Sequence, residues 1–304
     1  MIQRLSFSDQ FFADALPLLE NITMEQYKSR PDMIPMIFNV SGSTQWGEQD
    51  SEVTGFGLIP QSSEGANVEY DDVYQGLSKT YTHLLFKGGY KITKESVDDG
   101  KFGMHKKLAM AHGRAMFNTR QIEAASVFNN GFDPTFTGPD GIELFATNHP
   151  LQGPDGGTYR NELSTSADLS LTSLRQALND VQDLVDDRGV LIHITPKWLL
   201  IPNELRYDAQ ELLKSELRPG TANNDINAFQ MDNLNWVQWN YLTDPDAWFI
   251  LPDQGEHSLR FIEREPVNIS SDYDFDSSTS KTQIRNRFSY GWSSPRGPFG
   301  SPGA

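Results

Sequence analysis

The apolar positions between residues 96 and 131 recur at the spacing of one helical face. They fall four, three, four and seven residues apart, at Met104, Leu108, Ala111, Ala115 and Ile122. This pattern predicts a long helix that begins near Ser96, with Asp98 and Asp99 in its first turn, and ends at Asn130. Gly131 then predicts a left-handed cap. The stretch from 101 to 130 alone would be about 45 Å long, so we expect a strut that braces one face of the molecule.

A long hairpin is predicted directly before this helix. Residues 52–60 and 80–93 are rich in Val, Thr, Phe, Tyr and Ile, which is typical of strands. The acidic tip between them carries Glu64, Glu69, Asp71 and Asp72. Connections of this length in compact proteins are usually functional or mobile, so we expect the tip to serve a function.

The second half of the chain alternates helix and strand patterns. One helix is predicted from Ser170 to a cap at Gly189, and another from Asn203 to about Leu217. Strands are predicted at residues 198–201, 233–241, 247–251, 258–269 and 281–292. The sequence therefore predicts an α+β fold.

Both ends of the chain are predicted to be arms. In residues 1–50, short apolar clusters are interrupted by Pro17, Pro31 and Pro35, so this segment needs a surface of its own chain or of a neighbour. The tail from Ser293 is rich in Gly and Pro, and we expect it to be extended.

Composition narrows the possible functions. The chain has 304 residues, which can bury a sizeable core, and a formal net charge of −16. This acidity disfavours general binding of nucleic acid, which requires clustered Lys and Arg. The chain contains no cysteine, which excludes disulfides and thiolate metal sites. No apolar run approaches the roughly 20 residues of a membrane span, so we expect no membrane partner.

Motifs for catalysis or cofactor binding are weak or missing. Asp272, Asp274 and Asp276 resemble the start of a calcium loop, but Ser277 and Gln283 stand where Gly and Glu are needed. The histidines have no zincin spacing, and no nucleophile elbow, Walker loop or dinucleotide fingerprint occurs. A pair of acids could serve a glycosidase, but the sequence cannot give their separation. We therefore predict no catalytic residue, no cofactor and no metal site.

A run of basic residues on the predicted strut is opposite in sign to the net charge of the chain. It has no acid until Glu123 and consists of Lys101, Lys106, Lys107, Arg114 and Arg120. Such a run is often a solvated helix face. The alternative is a surface for an acidic partner, either the tip loop of another subunit or packaged nucleic acid.

Three classes of protein remain open on these observations. A shell or interaction protein explains the arm, the hairpin and the tail, because each would be stable against a neighbour. A glycan-acting enzyme or binding module would explain the aromatic and acidic residues but not the arms. A soluble metabolic enzyme would normally carry a catalytic or cofactor signature. Particle size distinguishes the first class from the other two.

The order of these parts resembles that of the tailed-phage major capsid fold, the Hong Kong 97 type. Several phrases are similar to the Mu-like major head subunit family, and their order adds specificity. They are Leu144–Pro150 (LFATNHP) leading to Asn161, Leu169–Leu178 (LSLTSLRQAL), Pro196–Leu205 (PKWLLIPNEL), Leu242–Leu251 (LTDPDAWFIL) and Tyr290–Ser301 (YGWSSPRGPFGS). Before Ser51, only the order of the predicted parts resembles this fold, and no sequence motif does.

This resemblance implies a division of the chain into the parts of that fold. They are an N-terminal arm (1–50), an E-loop hairpin (51–92), a P domain with the spine helix (93–164), an α/β A domain (165–255), strands returning to the P domain (256–292) and an extended C-terminal tail (293–304).

The resemblance also implies a structural role. The chain would form hexamers and pentamers that tile an icosahedral shell around double-stranded DNA, in the virion, after assembly in the host cytoplasm. The arm starts almost at Met1, so a scaffold and a maturation protease would be separate proteins. A portal and a cement or decoration protein would be further partners. An encapsulin-like nanocompartment is the alternative within this fold. We expect assembly contacts between an acidic tip (Glu69, Asp71 and Asp72) and a basic helix face (Lys106, Lys107 and Arg114).

Overall fold

The computed structural model describes residues 7–153, 156–217, 226–230, 234–274 and 276–304. The α-helices in these ranges are α1 (Phe7–Lys28), α2 (Ile34–Ile37), α3 (Lys94–Asp98), α4 (Phe102–Asn129), α5 (Leu171–Gln182) and α6 (Arg206–Lys214). The strands are β1 (Asn39–Gly42), β2 (Gly47–Val53), β3 (Gln75–Thr82), β4 (Leu84–Thr93), β5 (His149–Pro150), β6 (Thr158–Tyr159), β7 (Pro196–Ile201), β8 (Asn235–Gln238), β9 (Trp248–Pro252), β10 (Leu259–Asp274), β11 (Thr279–Trp292) and β12 (Phe299–Ser301).

The first sheet combines strands from distant parts of the chain, in the order β1-β10-β11-β4. β10 and β11 form the long antiparallel hairpin at its centre, as the two apolar runs predict. The side chains of Phe261 and Phe288 stack at 4.9 Å between ring centroids. They belong to a core that also holds Phe128 of α4 and Phe38, so the sheet and the long helix share one apolar interior.

The second sheet has the order β12-β9-β7-β8 and carries α5 and α6. Its two central strands, β7 and β9, contain continuous apolar runs because they are buried on both faces, as at Leu199–Ile201 and Trp248–Leu251. Ser170 caps α5 through a reciprocal bond with Ser173, which confirms the predicted start. The predicted cap at Asn203 is wrong, since α6 begins at Arg206.

The predicted strut is two helices. α3 ends at Asp98, and α4 begins at Phe102 after a turn in which Gly100 has a φ of +72°. The predicted end of the helix at Asn130 is correct to one residue, since α4 ends at Asn129. The predicted left-handed cap at Gly131 is wrong, because Gly131 does not have a positive φ. A side chain is excluded at Gly131 for another reason, because an added Cβ would lie 2.7 Å from Cδ2 of Phe145.

The predicted apolar face of α4 is also wrong. Met104, Ala111, Ala115 and Ile122 are exposed, and Leu108 is half-buried. The buried face lies elsewhere on the helix and consists of His105, Ala109, Gly113, Met116, Phe117, Arg120, Gln121, Ala124, Ala125, Val127 and Phe128. Its small and polar residues gave no hydrophobic signal in the first turns of the helix. Arg120 pairs with Glu263 at 2.5 Å and lies over the ring of Phe261, so it is not part of an exposed basic face.

The N-terminal segment forms a helix against its own chain. α1 continues through Pro17, and Leu16 and Leu19 pack with Ile92 and Ala109. The proline-interrupted pattern had predicted an irregular arm, but burial of these leucines stabilises the helix. Residues 1–6 of the predicted arm lie outside the described ranges.

The hairpin strands are placed differently from the prediction. β2 pairs with β3, with Gly47 opposite Thr82, and the strand pattern at 54–60 belongs to a loop. The stretch 80–93 is divided between the end of β3 and β4, and β4 pairs with β11. We call residues 54–74 the distal loop.

The C-terminal tail does not protrude. Ser293, Ser294, Arg296 and Phe299 are buried, and β12 adds to the edge of the second sheet by pairing with β9. The Gly and Pro residues suit this close packing, which composition alone could not distinguish from an extended arm.

Candidate assembly surfaces

The distal loop is closed at its root and exposed beyond it. Thr54 and Tyr74 exchange three hydrogen bonds of 2.9–3.0 Å, two of them through the Thr54 hydroxyl. The amide of Gly57 donates to Oδ2 of Asp71 at 2.8 Å and ties the two halves of the loop together. This bond is the main cause that lowers the pKa of the Asp71 carboxyl, so the carboxylate persists in mild acid.

Large apolar side chains on this loop face solvent. They are between 67% and 94% exposed and comprise Phe56, Leu58, Ile59, Val68 and Tyr70. Leu84 and Leu85, near the loop in sequence, are also about half exposed. Phe86, by contrast, is partly buried and stacks on Phe288 at 4.7 Å. Several large exposed apolar side chains on one loop favour an interaction surface.

The predicted acidic residues lie where the tip was expected, but one has a partner in its own chain. Glu69, Asp71 and Asp72 are exposed on the distal loop. Nη2 of Arg188 lies 3.3 Å from Oδ1 of Asp71 and donates to the carbonyl of Asp72 at 2.5 Å. Arg188 comes from the turn after α5 and was not predicted, because its partners lie more than a hundred residues away in the sequence.

The predicted basic residues Lys106, Lys107 and Arg114 are exposed on α4. The structure of one chain does not bring them together with the acidic tip, since Asp71 pairs with Arg188 instead. A contact between the two groups would require a second subunit.

A buried ion network fixes the base of the hairpin. Nη2 of Arg296 lies 2.6 Å from Oδ1 of Asp187, and Nη1 lies 3.6 Å from Oε1 of Glu52 on β2. The guanidinium also lies over the ring of Tyr159 at 4.7 Å. Burial raises the pKa of Glu52, while Arg296 opposes this shift. The network joins β2, the tail and the turn after α5.

The LFATNHP phrase forms a second buried network around Asn161. Nδ2 of Asn161 donates to the carbonyls of Leu144 and Pro295 at 2.7 and 2.9 Å. Its Oδ1 accepts from the amide of Ala146 and lies 3.0 Å from Nε2 of His149, whose Nδ1 lies 2.7 Å from Asp140. These polar side chains therefore have partners within the fold, as expected of a structural histidine.

The acidic triplet is part of the β10–β11 hairpin. Asp274 accepts a hydrogen bond from Nζ of Lys281, which is the main cause that lowers the pKa of Asp274 to about 2. Within the described ranges, no group of three His, Asp or Glu side chains could hold a metal ion. The helices of those same ranges include none with the length and apolarity of a membrane span.

A family model described as phage capsid protein matches residues 78–297. This range is well over half of the chain and includes α4, the Asn161 network and most strands of both sheets, without β1 and β12. The chain belongs to the phage capsid protein family. The matched family and the architecture support its assignment as a major capsid protein.

Solved structures show that the capsid protein has a Hong Kong 97-type fold. The bacteriophage JBD30 capsid has 13% identity and a TM-score of 0.58, over 80% of this chain and 97% of that chain. A JBD30 capsid decorated with minor capsid protein trimers has 14% identity and a TM-score of 0.55, over 70% and 92%. A virus-like particle from Pyrococcus furiosus has 9% identity and a TM-score of 0.56, over 95% and 99%. No curated protein matches the chain.

The fold alone does not separate a phage capsid from another particle, because the virus-like particle shares it. The family match favours the phage capsid over the encapsulin-like alternative.

Proposed function

We propose that this capsid protein is a Mu-like head subunit that forms hexamers and pentamers and closes an icosahedral shell around double-stranded DNA. The observation that carries the proposal is the distal loop, which exposes several large apolar side chains. A monomer gains nothing from this exposure, whereas a shell buries it between copies. The role is structural, without catalysis.

The distal loop would lie on a neighbouring subunit. Burial of Phe56, Leu58 and Ile59 supplies most of the contact energy, since apolar burial contributes about 25 cal/mol per Å². Ion pairs from Glu69, Asp71 and Asp72 to the neighbour's counterparts of the exposed basic helix face would add little. Each such pair contributes about 0–1 kcal/mol at a surface, so these pairs set register more than strength.

The division into the parts of the capsid fold stays part of this proposal, with the distal loop at the end of the E-loop hairpin (51–92). We place the shell in the virion, with assembly in the host cytoplasm. A scaffold, a maturation protease and a portal are proposed partners. The JBD30 capsid decorated with minor capsid protein trimers favours a comparable decoration protein here.

The test is to shorten the distal loop without damaging the strands. A deletion of residues 61–78 would remove Gln75–Ser78 from β3. Replacement of residues 55–73 by Asn-Gly instead keeps the Thr54–Tyr74 pair and closes the hairpin with a two-residue turn. We expect a folded, soluble subunit that fails to close shells, as measured by circular dichroism and negative-stain microscopy.

A triple substitution provides a gentler test of the same surface. The combined changes Phe56→Ser, Leu58→Ser and Ile59→Ser remove the apolar contacts and keep the loop length. Leu191→Ser is the control, because Leu191 is 67% exposed but lies outside the loop. Normal shells from both loop variants would show that the loop is not an assembly arm. A wild-type chain that stays monomeric even with a scaffold would overturn the shell function itself.

A further inference from the structure

One turn after α5 reaches both ends of the distal loop. Asp187 binds Arg296, and Arg296 reaches Glu52 just before the loop. The next residue, Arg188, contacts Asp71 and Asp72 near the end of the loop. Two consecutive residues of this turn are therefore linked to the two ends of the twenty-one-residue loop. Arg188 contacts Asp71 and Asp72 directly, and Asp187 reaches Glu52, two residues before the loop, through Arg296.

Arg188 makes several contacts at once. Besides its bonds to Asp71 and Asp72, its guanidinium lies over the ring of Tyr74 at 5.2 Å between the guanidinium carbon and the ring centroid. Its side chain is only 12% exposed, whereas that of Asp71 is 42% exposed. A planar guanidinium can stack on an aromatic ring and donate to two acceptors together, which a lysine cannot do.

The turn that carries Arg188 is itself rigid. Oδ1 of Asp186 accepts from the amides of Arg188 and Val190 at 2.8 and 2.9 Å. Gly189 has a φ of +71°, which suits this tight turn. The carbonyl of Asp187 packs so closely on Gly153 that an added Cβ there would lie 2.0 Å away. Arg188 is therefore presented from a fixed support.

Beyond this root, the loop keeps its apolar side chains in solvent. The contacts of Arg188 with Asp71, Asp72 and Tyr74 do not bury Phe56, Leu58 or Ile59, so this position of the loop does not hide the docking surface. Arg188 therefore restricts the direction of the loop and leaves the apolar residues of the loop available for docking. Restricting a segment before it binds reduces the entropy lost on binding, and the benefit recurs at every subunit of a shell.

We propose that Arg188 is a positioning residue that holds the distal loop in its docking direction before subunits meet. This proposal rests on the proposed assembly function. The distal loop docks on a second copy of this chain. Arg188 does not touch that copy and affects docking only through Asp71, Asp72 and Tyr74 of its own chain.

The experiment compares Arg188→Gln and Arg188→Lys with the control Arg206→Gln. Arg206 is exposed at the start of α6, and its guanidinium lies over Tyr207 of the same helix. Hydrogen–deuterium exchange on unassembled subunits measures the order of residues 54–74, and sedimentation measures the concentration at which shells appear.

We expect Arg188→Gln to raise the exchange rate of loop amides about two- to fivefold and to raise the assembly concentration by a similar factor. Arg188→Lys should fall between it and the wild type, because it keeps the charge without the planar contacts. The thermal midpoint should change little in all three variants. Unchanged exchange, or easier assembly by Arg188→Gln, would overturn the proposal.

The two readouts separate this proposal from the assembly function. If the wild type forms no shells, the shell function fails, and the exchange measurement still decides whether Arg188 orders the loop. If the wild type assembles and Arg188→Gln matches it in both measurements, only the positioning role fails.

Discussion

At the scale of single residues, Asn161 joins segments that are far apart in the sequence. Its side chain contacts Leu144, Ala146 and Pro295, while its own carbonyl accepts from the amide of Gly300. The side chain is fully buried, so each lost bond would leave a backbone group without water or partner. Such orphaned groups cost more than the bond itself contributes.

Asn161→Ala should therefore destabilise the subunit strongly. Two carbonyls and one amide would lose their partner, and we expect a loss of about 3 kcal/mol in the free energy of unfolding. Asn240→Ala is the control, since Asn240 is exposed and should change stability by less than about 0.5 kcal/mol. Denaturant unfolding measures both. Equal stability of the two variants would contradict the role given to Asn161.

At the scale of elements, α1 and α4 approach each other closely at Gly113. An added Cβ at this position would lie 2.2 Å from the carbonyl oxygen of Thr23 and 3.2 Å from Cβ of Gln26. Only glycine permits the contact, which brings Leu19 of α1 into the core beside Ala109. The Arg120 guanidinium, 3.1 Å from the Tyr27 hydroxyl, adds a polar tie between the same helices.

Gly113→Ala should push α1 off α4, because backbone stands against the new methyl group. We expect a loss of about 2–4 kcal/mol and faster proteolysis within residues 7–28. Gly103→Ala on the same helix has open space around it and should instead stabilise by a few tenths to about 1 kcal/mol. Limited proteolysis and thermal unfolding check both signs. A neutral Gly113→Ala would show that α1 does not depend on this contact.

The accuracy of the sequence-based predictions differs between elements for physical reasons. The start of α5 and the strands β7, β9 and β11 were predicted well because an apolar stripe or a buried run marks each of them. The predicted end of α5 at a Gly189 cap is wrong, since the helix ends at Gln182. The face of α4 was predicted wrongly because Gly113, Arg120 and Gln121 face inward, and no hydrophobic pattern marks such residues.

The candidate site was predictable only in part. The acidic tip and the helix residues Lys106, Lys107 and Arg114 are exposed, as runs of charge in the sequence indicate, whereas Arg120 of the same basic run is buried. Arg188 and Arg296 were missed because their partners come from distant segments. The contact between the acidic tip and the basic helix face stays a prediction.

At the scale of the whole molecule, the net charge of −16 opposes adhesion to DNA. The exposed basic group on α4 is small. If it contacts three phosphates, the logarithm of the binding constant should fall with the logarithm of the salt concentration with a slope of about −2.7. Binding of free subunits to DNA should therefore weaken about 40-fold between 50 and 200 mM salt, without sequence preference.

Fluorescence anisotropy with a short duplex measures this slope. Changing Lys106, Lys107 and Arg114 to Gln should bring the slope close to zero. The same change at Lys87, Lys91 and Lys94 alters the charge equally and serves as the control, since Lys87 and Lys91 are exposed on β4 and Lys94 is half-buried at the start of α3. Tight, sequence-specific binding at physiological salt would refute the picture of a weak contact.

The parallel pairing of β1 with β10 has a consequence for synthesis. Asn39–Gly42 pair with Arg260–Glu263, so the first sheet can form only after nearly the whole chain has left the ribosome. Until then, the part of α4 that packs on this sheet (Ala124, Ala125 and Phe128) and the edge of β1 lack their partners, and contacts between remote segments form slowly. Nascent chains therefore spend this interval exposed to mispairing with one another, and molecular chaperones protect them best while β10 and β11 are still being translated.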